Sequence, residues 1–479
     1  MCMNSELLNK CRNAETIFIY GAGAVADIFY IFLKQNQIQD KVKSFVVTKS
    51  DANLPDKFGI HTVTLSEVAD ELKNALVIVA VQSFTQGEIE SVLQENEVSG
   101  YDCVDTEELL NGFYDELYHA PIEENKILFQ NQSGEGYGGN PKYIAEKLIE
   151  YDTDQKLDLV WSVFRHREGI PKRVRQVLYG SEEYYKELAT AKVWVDNSRK
   201  PFSARKRKGQ FYIQAWHGAA PIKRVEKDAE DVLPAYYIEG ARNDSKMADV
   251  FLSGSEFYSR LYRKSFWYDG VILKFGLPRH DVFWNMAAVR RKICDFYKIE
   301  ENYGIVLYAP TFRDYHDIEC YDLDIDRVAE ALEKKFHRPF RMMVSRHPVN
   351  YQEYTFKKDA DYIDVGDYDD FQELLAAADI LITDYSGCMY DFSYTQRPVF
   401  LYQKDYGEYL RDRNFYIPME KLPYIKAYSN DEMEQAIEGF DGERYASELK
   451  TFMGTMGNYD AGNASERVVQ YLKENVISF

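Results

Sequence analysis

A short apolar strand, a turn of small residues and then a helix follow one another repeatedly along this chain, and that order constrains the fold more than any other feature. Thr16-Ile17-Phe18-Ile19-Tyr20 is a β-type run that ends in Gly21-Ala22-Gly23-Ala24-Val25-Ala26, after which apolar residues continue at helical spacing to Leu33. Strand, glycine turn and helix in that order open a nucleotide-binding α/β unit. Further strands over 44–47 and 76–81 complete a small Rossmann-like domain within residues 1–115. Its fingerprint reads G-x-G-x-x-A, and its second strand ends in Thr48-Lys49 where a dinucleotide site needs an acidic residue for the ribose. That argues against NAD and for a structural, regulatory or partner-binding role.

A chain of 479 residues exceeds one ordinary core, so further domains are expected. After a connector over 116–125, strands are predicted at 126–130, 157–164, 192–196 and 211–215. A glycine loop, Ser133-Gly134-Glu135-Gly136-Tyr137-Gly138-Gly139-Asn140-Pro141, opens a helix over 142–150. A second unit starts near Gly270, with strands at 271–275, 305–309, 341–345, 380–383 and 399–402. Alternation of this kind gives parallel sheets covered by helices on both faces. The expected architecture is a pair of Rossmann-type units, 125–269 and 270–479, facing a cleft, with the last helix packing back on the first half. Ligands of such sheets bind outside the carboxyl ends of the strands.

The unusual residues fall at those ends. His217 follows the strand in Gln214-Ala215-Trp216-His217-Gly218, with Lys223 and Arg224 close behind, and His347 follows another in Ser345-Arg346-His347-Pro348. Two imidazoles beside basic residues suit a cleft that holds phosphate and deprotonates an alcohol, although a histidine at a strand end also serves as a buried structural group. Tyr308-Ala309-Pro310-Thr311-Phe312-Arg313 repeats the strand, loop and cation pattern. Ile380-Leu381-Ile382-Thr383 runs into Asp384-Tyr385-Ser386-Gly387 and then a helix carrying Asp391, an arrangement that offers N–H groups to a pyrophosphate or simply caps the helix through Asp384 or Ser386.

Net charge of -20 opposes general nucleic-acid binding. Against that background Arg199, Lys200, Arg205, Lys206, Arg207 and Lys208 crowd into ten residues, either as a solvated loop or as a landing site for an anionic acceptor or membrane surface. The six cysteines, at 2, 11, 103, 294, 320 and 388, show no metal-ligand spacing and fit a reduced cytoplasmic protein. No apolar run reaches the roughly 18 residues of a membrane span and no leader precedes the first strand, so membrane association is expected to be peripheral, on the inner face of the plasma membrane.

Trp216-His217-Gly218 with a following Pro-x-Lys, Ala309-Pro310-Thr311-Phe312-Arg313, Arg346-His347-Pro348, and Asp384-Tyr385-Ser386 with Asp391-Phe392 occur in the order of the CDP-glycerol glycerophosphotransferase family, which makes teichoic-acid and capsule polymers. The chain resembles that family over roughly 125–475, while the N-terminal domain resembles that of sugar acetyltransferases as much as any dehydrogenase. The resemblance implies a GT-B-like fold, with the acceptor on the first unit and a CDP-glycerol or CDP-ribitol donor on the second. It implies His217 as the general base toward an acceptor hydroxyl, on a polyol phosphate or glycan, with CMP released. His347, Arg346 and Arg313 would then meet the donor phosphates, Asp384, Ser386, Gly387 and Asp391 the nucleotide end, and Lys223 with Arg205, Lys206, Arg207 and Lys208 the acceptor or surface. No acidic pair with metal-ligand spacing stands beside these motifs, so protein cations are expected to do the work of magnesium, whose participation stays open. Two departures bear on the substrates: one extra residue and no hydroxyl between Gly218 and Pro221, and Gly387 where the family commonly has a second serine. The competing readings are a GT-B glycosyltransferase using a nucleotide sugar and a non-catalytic nucleotide-binding scaffold.

Overall fold

The computed structural model describes residues 5–49, 56–218, 223–311, 313, 318–345, 360–412 and 415–478. Within them three parallel sheets follow one another. The first holds β1 (Ile17–Tyr20), β2 (Val42–Val47), β3 (Thr62–Thr64), β4 (Leu76–Val79) and β5 (Tyr101–Cys103) in the order 3-2-1-4-5. The second holds β6 (Glu123–Gln130), β7 (Asp158–Val163), β8 (Val174–Leu178), β9 (Ala191–Asp196), β10 (Phe211–Gln214), β11 (Val250–Leu252) and β12 (Val271–Leu273) in the order 12-11-10-9-6-7-8. The third holds β13 (Gly304–Tyr308), β14 (Phe340–Val344), β15 (Tyr362–Asp364), β16 (Ile380–Thr383), β17 (Val399–Tyr402) and β18 (Ile425–Ala427) in the order 15-14-13-16-17-18. Residues of β13, β16 and β17 are buried throughout, as strands covered by helices on both faces must be.

The sequence places Val271–Leu273 in the second unit, yet it pairs in parallel with β11 and forms the edge of the first unit's sheet. A short run of apolar residues looks the same on either sheet, and only its partner decides. The chain crosses to the third sheet just afterwards, through a 3₁₀ segment over Pro278–Trp284, and crosses back through 457–463. Helix Ala464–Asn475 then buries Val468, Val469 and Leu472 in the core of the second sheet.

The basic run is the second correction, because it is not an open surface. Arg199 is buried against Glu226 and Asp244, at 2.7 and 2.9 Å, and Lys200 against Asp196 at 2.8 Å. Lys206 pairs with Asp249, and Arg205 donates to the Phe202 carbonyl and reaches Glu107 of the N-terminal domain. Arg207 donates to the carbonyls of Tyr118, Ala120 and Ala189 while lying 4.8 Å from the Tyr118 ring centre. Of the run, Lys208 remains exposed. Arg205 and Arg207 thereby fasten the N-terminal domain and its connector, and the domain also docks Phe113 edge-on to Tyr185, 5.3 Å between centres, and Phe84 to Phe202.

The second and third sheets meet across the glycine loop. A side chain on Gly138 would come within 2.7 Å of the Asp369 carbonyl oxygen, so only glycine permits this approach. Beside it Lys142 reaches Asp370 at 2.5 Å and Glu373 at 2.9 Å, and the Tyr143 hydroxyl donates to Asp370 at 2.8 Å.

Candidate active site

His217 lies just past the carboxyl end of β10, and its placement is fixed from behind. Trp216 has φ of 50°, a left-handed conformation that costs a bulky residue about 1–3 kcal/mol and persists only where neighbours hold it. Asn140 holds it by donating to the carbonyls of Ala215 and Trp216, at 2.8 and 2.9 Å. The Trp216 ring packs against His217, tilted by 30° with centres 4.3 Å apart, and Arg199 lies 5.3 Å from the centre of the Trp216 ring. Arg199, read from sequence as part of a landing patch, is therefore a support beneath the histidine.

The tautomer of His217 follows from its partner. Nδ1 sits 2.8 Å from the Asn197 carbonyl, which can only accept, so Nδ1 carries the proton and Nε2 keeps a lone pair. Asn197 is itself fixed, donating to Asn131 Oδ1 at 2.7 Å and accepting from the Gln132 N–H at 2.8 Å. A side chain on Gly139, whose φ is +63°, would fall 2.6 Å from Asn197 Nδ2, which explains the second glycine of the pair. The residue reaches solvent, yet the protein packed around the ring penalises the imidazolium; with Arg279 and Arg199 nearby this outweighs the Asn197 bond, and the pKa falls below the usual value.

Across the cleft, Asp384 follows β16. It accepts from the Thr311 N–H at 2.9 Å, the Thr311 hydroxyl, the Tyr385 N–H and Arg313 at 2.9 Å, so it knits the ends of β13 and β16 together. Arg313, expected to grip donor phosphates, is buried and committed otherwise: Nε donates to Asp405 at 2.5 Å, Nη2 to Asp384 and Asp405, and Nη1 to the Thr311 carbonyl. Burial opposes its charge, but Asp384 and Asp405 raise its pKa above the usual guanidinium value. The Ser386 hydroxyl accepts from the Cys388 N–H, and among the described residues no hydrogen bond takes up the N–H groups of Ser386 or Gly387. The helix behind them spans only Cys388–Phe392, so few aligned peptide dipoles stand behind that turn.

Asp391 is a correction in kind. Expected to shape the nucleotide end, it is buried in a two-pronged pair with Arg279, at 2.7 and 2.9 Å, and accepts from His280 Nε2 at 2.5 Å. Burial opposes its ionisation, but Arg279 and His280 hold its pKa below the ordinary carboxylate value. Arg279 also donates to the His217 carbonyl, which links the two halves of the site through one side chain. Lys223 crosses the cleft as well: its backbone bridges Phe415 and its Nζ lies 4.3 Å from the Tyr409 ring centre, with Arg313 4.9 Å from the same ring.

Arg346 and His347 lie outside the described residues. Asn140, Asn197, Arg279, His280 and Asp405 escaped the sequence reading, although each follows a strand end or opens a helix, where a polar residue is a usable signal. A cavity of about 1130 Å³ lies elsewhere, between β18 and the helix Gly442–Met456, lined by Lys426, Tyr424 and Phe452. Among the described residues no group of three or more His, Cys, Asp or Glu side chains could hold a metal ion, and no helix is long and apolar enough to cross a membrane.

Two facing parallel sheets with functional groups at their carboxyl ends, linked by two crossings, define a GT-B-like protein. The solved wall teichoic acid polymerase TagF shares this fold, with a TM-score of 0.68 at 24% identity over 83% of this chain and 99% of that one. The sequence profile described as CDP-glycerol:poly(glycerophosphate) glycerophosphotransferase matches residues 113–474, and the chain belongs to that family. A teichoic acid poly(glycerol phosphate) polymerase of Bacillus spizizenii is 29% identical over 74% of this chain and 93% of its own length. Another from Staphylococcus epidermidis is 28% identical over 74% of this chain, which spans about half the length of that relative. A teichoic acid ribitol-phosphate polymerase of Staphylococcus aureus is 26% identical over 73% of this chain.

Proposed function

We propose that this protein transfers a polyol phosphate, glycerol phosphate or ribitol phosphate, from a CDP donor to an acceptor hydroxyl with release of CMP, in the synthesis of a teichoic-acid or capsule-type surface polymer. The observation that carries the reading is His217, whose Nδ1 donates to the Asn197 carbonyl and whose Nε2 is left as a base at a strand end facing the cleft. The acceptor hydroxyl loses its proton to Nε2 and attacks phosphorus, and CMP leaves as charge spreads over oxygens that the second unit must hold. Family membership supports a CDP-polyol donor, and both glycerol-phosphate and ribitol-phosphate enzymes stand among the relatives.

In this scheme the acceptor belongs to the first unit, near Lys223, and the donor to the second, near Ser386 and Gly387, with Arg346 and His347 as further phosphate partners. The segment 1–115 lies almost wholly outside the family match and acts as a docked module. Contact with anionic acceptor or membrane through Arg205–Lys208 has little support, because three of these four cations are paired within the protein. Incubation with CDP-glycerol, CDP-ribitol and UDP-sugars tests the reading: CMP released only with a CDP-polyol and acceptor is expected, and UDP release instead would replace it with glycosyl transfer.

A further inference from the structure

Arg279 sits at the first of the two chain crossings and touches both halves through one side chain. It stands in Pro278–Trp284, the first crossing, and is 5% exposed. On the acceptor side it donates to the His217 carbonyl, and its backbone N–H donates to Asn140 Oδ1 at 3.1 Å, the same asparagine that pins the Trp216 carbonyl. On the donor side it grips both oxygens of Asp391, in the helix directly behind Ser386 and Gly387. The second crossing joins the same cluster: His280 contacts Asp391 through Nε2 and lies 3.2 Å from Asp460 through Nδ1, while Asp460 accepts from the Leu277 N–H at 2.7 Å.

We propose that Arg279 is a positioning residue, tying the His217 peptide to Asp391 so that the imidazole is set for proton removal only while the two sheets are closed about their crossings. The assignment of chemistry rests on His217 being the acceptor base; the mechanical link does not. The reasoning is local. The left-handed Trp216 stores strain, so both its own peptides and the one that follows the imidazole must be held for the ring to keep its place. Asn140 holds the carbonyls of Ala215 and Trp216, and Arg279 holds that of His217. A planar fork satisfies a carboxylate with two donors and keeps a third for the carbonyl, which a lysine ammonium cannot do in the same geometry. Opening the cleft would move Asp391 away, remove the anchor of the guanidinium and free the peptide that carries the imidazole.

The test reads the ring itself. In protein labelled with ¹⁵N-histidine, the His217 signal, assigned by its loss in His217→Asn, is expected to report the Nδ1–H tautomer in the wild type and a mixture of tautomers in Arg279→Lys. With donor and acceptor present, Arg279→Lys is expected to lower kcat about 10²-fold with donor KM within about twofold, and to cause no further loss in a His217→Ala background. If the lysine variant loses its thermal transition, the spectra of Asp391→Asn decide. An unchanged His217 tautomer in a folded variant, or equal kcat losses in both backgrounds, overturns the proposal. A shifted tautomer together with full turnover by His217→Ala keeps the link and removes the base assignment alone.

Discussion

The strand ends on the two sides of the cleft handle charge in opposite ways. At the end of β10 a neutral imidazole donates to a backbone carbonyl, and among the described residues no carboxylate hydrogen-bonds the ring. A carboxylate partner would stabilise the imidazolium and favour a charged ring; the carbonyl fixes the tautomer without that cost in available base. At the ends of β16 and β17 two carboxylates, Asp384 and Asp405, enclose one guanidinium, Arg313, for a formal charge of -1. Such a centre organises the turn but repels pyrophosphate. Arg313 is thus taken up by the protein's own carboxylates, whereas His217 Nε2 makes no hydrogen bond to any described residue.

That contrast breaks most directly with two substitutions. His217→Ala is expected to lower kcat by about 10²–10⁴-fold while the protein stays folded, with the thermal midpoint lowered only slightly by loss of the Trp216 contact and the Asn197 hydrogen bond. Asp384→Asn should do the reverse in kind, leaving Arg313 half-paired in a buried site and costing about 3–5 kcal/mol of stability, measured by urea unfolding. A His217 variant that unfolds, or an Asp384 variant of native stability, would erase the distinction between a chemical and an architectural strand end.

The two histidines of the site sharpen it further. Burial alone would lower the His280 pKa, but Asp460 and Asp391 override it and hold the ring at about 9. Its folded value lies above the unfolded one near 6.5, so its contribution is complete below pH 6.5 and disappears as pH rises through 9. Between pH 6 and pH 10 the wild type should lose on the order of 3 kcal/mol relative to His280→Asn; parallel stability curves would refute the charged ring. His217 moves the other way. Its lowered pKa keeps it in the base form at pH 7, so kcat/KM should rise only along an acid limb below pH 6.5 and then stay flat. An acid limb displaced above pH 7 would mean that the essential base is another group.

The alternation of strands and helices was legible wherever a strand has four or more buried residues, as in β1, β13, β16 and β17. Three-residue strands such as β3, β5, β11, β15 and β18 went unread because so short a run carries no period. His217, Asp384 and Ser386 were legible as residues just past strand ends, and Lys223 as a cation following His217. What they bind within the protein was not. Arg279 meets Asp391 across 112 positions of sequence and Arg313 meets Asp405 across 92, separations no local pattern reports. The basic run misled for the same reason, since its counter-charges, Glu226, Asp244 and Asp249, lie downstream on other elements.

The return of helix Ala464–Asn475 to the second sheet carries a consequence for biogenesis. Val468, Val469 and Leu472 are missing from the core of the second sheet until that helix has emerged from the ribosome, long after β12 has been made. The unit built on the second sheet must wait, incompletely sealed, while the whole unit of the third sheet is synthesised and folds. A nascent chain halted at Gly462 should be captured by chaperones through the surface that this late-arriving helix would have covered.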